Sequence, residues 1–172
     1  VKNRPVWSEE WKSLGLGAIL VDERPNTIIT NLFFVQVGFG VDQHGHDNAT
    51  KAAVRAVRNS IEFNSIPGVI EAIPGGRKEM LIHVKLGIPP KRDNGSLPMP
   101  VDALEVAKVF PYGKLLPIQM VVGGLSFPTG RLVPELGDDN EDAICVAASV
   151  SIGYNDGSLR DQHQVYSTKD GL

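Results

Sequence analysis

One cysteine, Cys145, stands in 172 residues, so no internal disulfide can form and packing alone must hold the fold. There is no basic surplus either. The 17 Lys and Arg face 20 Asp and Glu, a formal net charge of −3, which argues against a protein that binds nucleic acid by neutralising phosphates. No apolar run approaches the roughly 20 residues a membrane-spanning helix needs, so neither nucleic acid nor membrane is an expected partner. Internal repeats and low-complexity runs are absent as well. What remains is 42% hydrophobic and 22% charged, an ordinary balance for a globular chain, at a length that suits one domain with a real core.

Hydrophobic spacing divides the chain into three parts. Residues 1–31 read as an extension, with a short helix starting at Ser8-Glu9-Glu10 and Trp7, Trp11 and Leu14 at helical spacing. Those tryptophans are expected to pack on the main domain or on a neighbouring subunit. Residues 32–154 read as a single α/β domain, and 155–172 as a polar tail. The first strand, 32–37, is rich in aromatic and β-branched residues. It runs into a loop from Gly38 to Asp47. A helix follows over 49–64, capped by Asp47 or Asn48. Its inner stripe is Ala52, Ala53, Ala56, Val57, Ser60 and Ile61, and Lys51, Arg55, Arg58 and Glu62 face out. A stripe of such small residues lets a helix lie close to a sheet.

The alternation Met80, Ile82, Val84, Leu86 against Leu81, His83, Lys85 predicts a strand over 79–86. A proline-rich loop separates it from a helix over 101–110. A third strand, 115–122, carries Pro117 near its start, as an edge strand can. A long polar connection then leads to a fourth strand over 142–153. Cys145, inside that strand, reads as a small buried hydrophobe. The order β-α-β-α-β-β predicts a mixed α/β (α+β) sheet with helices on one face. A right-handed crossover makes the first two strands parallel, and the last two are expected to pair antiparallel. The other face must find cover, and packing in a homo-oligomer, a trimer or larger, is the expectation.

Polar chemistry concentrates in Asp42, His44, His46 and Asp47, between a strand's end and a helix start, where α/β sheets usually bind ligands. His44 can serve as a general acid or base with Asp42 orienting it. Asp42, His44 and His46 can instead converge on a divalent metal. Gly38, Gly40 and Gly45 let the backbone turn or approach a ligand, and Asp47 and Thr50 stand beside the helix's free amides, which favour anions. The alternative is that the polar groups only tie the loop. Gly38-x-Gly40 is no dinucleotide fingerprint, because its third glycine would fall at Gln43; no cofactor is indicated. Lys51 lies in the helix's first turn. Lys85 and His83 project from the face the helices leave bare, where Ser149 or Ser151 offers Lys85 a serine partner.

The segment Gly38-Phe39-Gly40-Val41-Asp42-Gln43-His44-Gly45 resembles the GxGxDxHG signature of a conserved hypothetical family of bacteria, cyanobacteria and plants, without an established function. Thr50-Lys51-Ala52-Ala53, Asn64-Ser65-Ile66-Pro67-Gly68, His83-Val84-Lys85-Leu86-Gly87 and Phe110-Pro111-Tyr112-Gly113 extend the likeness, which covers about residues 31–154. One departure is His46, where the family pattern has glutamine; it tells against His46 as a required metal ligand. Plant members carry a prefix that residues 1–31 resemble, which implies an intracellular, chloroplast protein. The element order is also similar to the trimeric fold of one chorismate mutase class, the imine deaminases and the cyanuric acid type of amidohydrolase, whose ligand sites lie between subunits. Two functional readings follow: a small-molecule enzyme or binding protein with its site at residues 38–51 near a subunit interface, or a non-catalytic assembly protein in which that loop is structural.

Overall fold

The computed structural model describes residues 13, 17–62, 66 and 68–158. Trp7, Trp11 and Leu14, expected to dock the extension, lie outside the described residues. From Gly17 onward the chain joins the sheet: β1 (Ile19–Leu20) pairs in parallel with a later strand. A strap over 22–29 then leads into β2 (Asn31–Asp42), α1 (Thr50–Glu62) and the short α2 (Val69–Ala72). The strands β3 (Leu81–Ile88), β4 (Lys114–Leu115), β5 (Gln119–Val122), β6 (Leu125–Pro128) and β7 (Asp142–Tyr154) complete the sheet, with α3 (Ala103–Ala107) between β3 and β4. The fold is α+β, as the element order predicts.

The strands run β1-β4-β3-β7-β2 across the sheet; β5 continues β4's edge along β3, and β6 lies beside the start of β7. β7 is antiparallel to both β2 and β3, so those two are parallel to each other with β7 between them. The expected pairing of the last two strands does not form, because β3 separates β5 from β7. The expected strand 115–122 is two short ones, β4 and β5. Pro117 lies between them, without the amide that a continuous ladder needs. The polar connection contains β6, which alternation did not reveal.

Strand and helix meet through glycine. β2 extends five residues beyond the expected 32–37, through the first half of the expected loop, to Asp42. Its even positions face α1. A Cβ at Gly38 would strike the Ala56 carbonyl and Ser60 amide, and one at Gly40 the Ala52 carbonyl and Ala56 amide. The two signature glycines therefore seat the helix backbone on the strand, inside a continuous strand and not at a turn. Ala52, Ala53, Ala56, Val57 and Ser60, the small stripe above them, are all fully buried. Beneath the helices the sheet adds Ile82, Val84, Leu86, Val146, Ala148 and Val150 to one continuous core.

Among the described residues no α-helix covers the opposite face. There Val35, Val37, Phe39 and Val41 are exposed on β2, as are Leu125 and Phe127 on β6. Cys145 is half-buried on this face, not sealed as expected. At the outer edge of β2 two helix side chains reach over: Asn59 Oδ1 accepts the Phe39 amide at 3.0 Å, and Arg55 donates to the Val41 carbonyl.

Candidate functional site

Asp42 shares the helix-facing side of β2 with Gly38 and Gly40 and lies where the strand runs out. The residue is 1% exposed, and neither carboxylate oxygen accepts a hydrogen bond from the described residues. Two cations from successive turns of α1 face it: Lys51 Nζ at 3.2 Å and an Arg55 guanidinium nitrogen at 3.6 Å. The carboxylate is thus ion-paired yet keeps acceptor capacity. It floors a cleft of about 450 Å³ whose walls include His46, Thr50, Lys51, Arg55, Arg58 and Glu105.

The remaining expected site residues are distributed differently. His44 turns away from Asp42: its Nδ1 lies 2.8 Å from Asp138 Oδ1. Asp138, not Asp42, orients this imidazole, because the strand ends at Asp42 and the alternation that would align residues 42, 44 and 46 ends with it. The other Asp138 oxygen accepts the Val133 amide at 2.8 Å. Burial, the largest influence on the Asp138 carboxyl, acts to raise its pKa. The Val133 amide, the His44 hydrogen bond and the charges of His44 and His46 together prevail, holding it below its ordinary 3.8.

His46 Nδ1 is 4.0 Å from Asp139. Among the described residues no group of three His, Cys, Asp or Glu side chains is placed to hold a metal ion, so Asp42, His44 and His46 do not form the converging set that a metal site requires. Gly45 permits close approach, but to protein: a Cβ there would meet Asn140, and its carbonyl accepts the Asp139 amide at 2.7 Å. Asp47 meets Arg92 at 3.4 Å instead of capping α1. The capping falls to Asn48, whose Oδ1 accepts the Thr50 amide at 2.8 Å. That bond leaves the Thr50 amide engaged, so the expected anion site on the helix's free amides loses this donor. The Thr50 hydroxyl in turn accepts the Asp102 amide at 2.8 Å, which ties α1 to the start of α3.

Lys85 and His83 lie on the bare face, far from this cleft. Register places Lys85 opposite Ser149 and His83 opposite Ser151. The structure therefore joins Asp42, Lys51 and Thr50 in one cleft, turns His44 to Asp138, and puts Lys85 and His83 behind the sheet.

Sequence reasoning placed Arg55 and Arg58 on the outward face of the helix but not in the site, and it missed Glu105 and Asp138. Arg55 was legible, since it follows Lys51 by four residues and so shares its face. Asp138 was not, because 94 residues separate it from His44.

Comparison with known proteins agrees with this mixture of a definite fold and an open chemistry. A crystal structure described as that of an FtsZ-like protein of unknown function, from Nostoc punctiforme, is 35% identical, with a TM-score of 0.57; the match covers 74% of this chain and 100% of that one. No curated protein matches. A family model described as "Conserved hypothetical protein (Lin0512_fam)" matches residues 32–152, from the first residues of β2 almost to the end of β7. The chain belongs to this conserved hypothetical family, Lin0512_fam.

Proposed function

We propose that the Asp42 cleft binds a small polar molecule carrying both a hydrogen-bond donor and an anionic group. One observation carries the reading: a carboxylate that is 1% exposed and accepts no hydrogen bond from the described residues forms the floor of an open cleft. A buried acceptor without a hydrogen bond costs about 1–3 kcal/mol, which the ion pairs to Lys51 and Arg55 offset only in part. A ligand hydroxyl or ammonium reaching Asp42 removes that cost. Lys51, Arg55 and Arg58 supply three cations around it, and the planar arginine forks suit a carboxylate or phosphate. Hydroxy acids, amino acids and hydroxylated phosphates meet both demands.

Glycerol 3-phosphate is a suitable first probe in thermal unfolding. At a hundred times its Kd a ligand adds about 2.7 kcal/mol, or roughly 5–10 °C in a domain of this size. The wild type is expected to gain such a shift. The Lys51→Ala/Arg55→Ala variant, folded by circular dichroism, is expected to lose it. Equal shifts in both, or none in either for glycerol 3-phosphate, malate and serine, would end this reading.

A second reading, self-association of the chain through its bare sheet face, is favoured by the exposed run Val35, Val37, Phe39 and Val41 with Leu125 and Phe127 alongside. Contiguous apolar patches of this kind mark interaction sites. Sedimentation velocity tests it, with Phe39→Glu expected to reduce the wild-type assembly to monomers. A chloroplast location, supported by the likeness to plant members, belongs to the same proposal and is checked by imaging the tagged protein in plant cells.

A further inference from the structure

A second cavity, of about 670 Å³, lies on the bare face. It sits near the start of β2, ten residues from Asp42, which is roughly 33 Å of extended chain. Its roof is the strap, and the strap is pinned. Asn155 Nδ2 donates to the Pro25 carbonyl at 3.1 Å and to the Ile28 carbonyl at 2.7 Å. Thr27 is buried and its hydroxyl is 2.9 Å from the Asp22 carbonyl. Thr30 holds Asp156 at 2.8 Å. The cavity is therefore built into the fold.

Its walls are apolar, with Ile28, Ile29, Leu32 and Leu116 among them, and its floor is the cross-strand pair His83 and Ser151. The next rung of the same face is Lys85 opposite Ser149, roughly 7 Å further along β3, about the length of a lysine side chain. Among the described residues, none of these four side chains has a hydrogen-bond or ion-pair partner. No acid from β2, β3, β5, β6 or β7 faces Lys85: its neighbours in register are Ser149 and Gln119. The charged residues of the lining are Glu23 and Arg24, the latter 3.4 Å from Asp22.

An apolar pocket with a few convergent polar groups is the usual form of a small-molecule site. Here the convergent groups of the lining are the Ser151 hydroxyl and the His83 imidazole, with the Lys85 ammonium outside the lining on the next rung of the same face, all able to donate a hydrogen bond to an anion. We propose that this cavity binds a small apolar carboxylate. The hydrocarbon body lies against the strap and Leu32, and the carboxylate is held by His83 and Ser151 with Lys85 at the mouth. The site is separate from the Asp42 cleft and stands or falls independently of it.

Octanoate and its neutral counterpart octan-1-ol test the proposal by calorimetric titration of the full chain. Octanoate is expected to bind once per chain, at least tenfold more tightly than octanol. Lys85→Met, at an exposed position, should remove most of that preference and leave octanol binding unchanged. Ser151→Phe, which fills the cavity, should abolish both. If Ser151→Phe does not fold, Lys85→Met alone decides. Absence of octanoate binding at millimolar concentration, equal affinity for acid and alcohol, or a preference untouched by Lys85→Met would overturn the proposal. So would loss of octanoate binding in Phe39→Glu, which would place the site between copies.

Discussion

The two faces of the sheet are cut from the same strands, yet neighbouring residues on them live under different rules. On β3, Val84 is fully buried while Lys85 is exposed. On β7, Val146, Ala148 and Val150 are sealed, and Cys145, Ala147, Ser149 and Ser151 between them are only half covered. β2 shows the contrast most sharply. Its helix-facing positions reduce to glycine so that a backbone can rest on a backbone, whereas its outward positions are Val, Val, Phe and Val, exposed among the described residues. The covered face has spent its apolar surface on stability. The bare face has kept its own, together with a cavity and, in Lys85, a cation without an ion-pair partner among the described residues.

The contrast assigns the largest effect to Gly40→Val. The added side chain must displace α1, and the expected loss is about 3 kcal/mol or more, a fall in Tm of roughly 6–12 °C. A Gly40→Val protein melting with the wild type would mean that α1 does not rest on β2. Next come adjacent residues of β3. Val84→Ala should cost about 2 kcal/mol in urea unfolding through the cavity it leaves, while Lys85→Ala should stay within about 0.5 kcal/mol. Similar losses at both positions would erase the distinction between the faces.

A smaller effect is expected from acid. The folded pKa of Asp138 is depressed below 3.8 by the Val133 amide and His44, against the opposing pull of burial. Such a group stabilises the fold above its unfolded value, and the contribution is lost as pH falls through the folded value. Unfolding free energy should therefore drop more steeply below pH 3.8 in the wild type than in Asp138→Asn. The smallest effect is Val37→Thr, expected within about 0.5 kcal/mol of wild type in stability. Its consequence should appear instead in sedimentation, as weakened self-association.

Much of this architecture could be read from residue spacing. The stripe of alanines in α1 and the alternation across β7 each pointed to the right element and the right buried side, because burial on one face writes a period into the chain. β3 came out two residues early, since Met80 continues the alternation although the ladder begins at Leu81. The signature was legible as important but not for its reason. A glycine that opens a turn and a glycine that admits a helix look alike in a sequence, and only the position of Ala52 and Ala56 above Gly40 separates them. The Asp42–Lys51 pairing was within reach because both lie near one helix start. The His44–Asp138 contact and the strap cavity were not, since they join segments that nothing local relates.

The two side chains that α1 extends over the rim of β2 constrain how copies of this protein could combine. With the Phe39 amide and the Val41 carbonyl already engaged by Asn59 and Arg55, an incoming strand finds no continuous ladder at that end to extend. Growth by adding sheet to sheet, the route to open-ended fibres, is blocked there by the molecule's own helix. Contacts between copies, if they form, would be directed toward broad surfaces, which can close upon themselves into an assembly of fixed size.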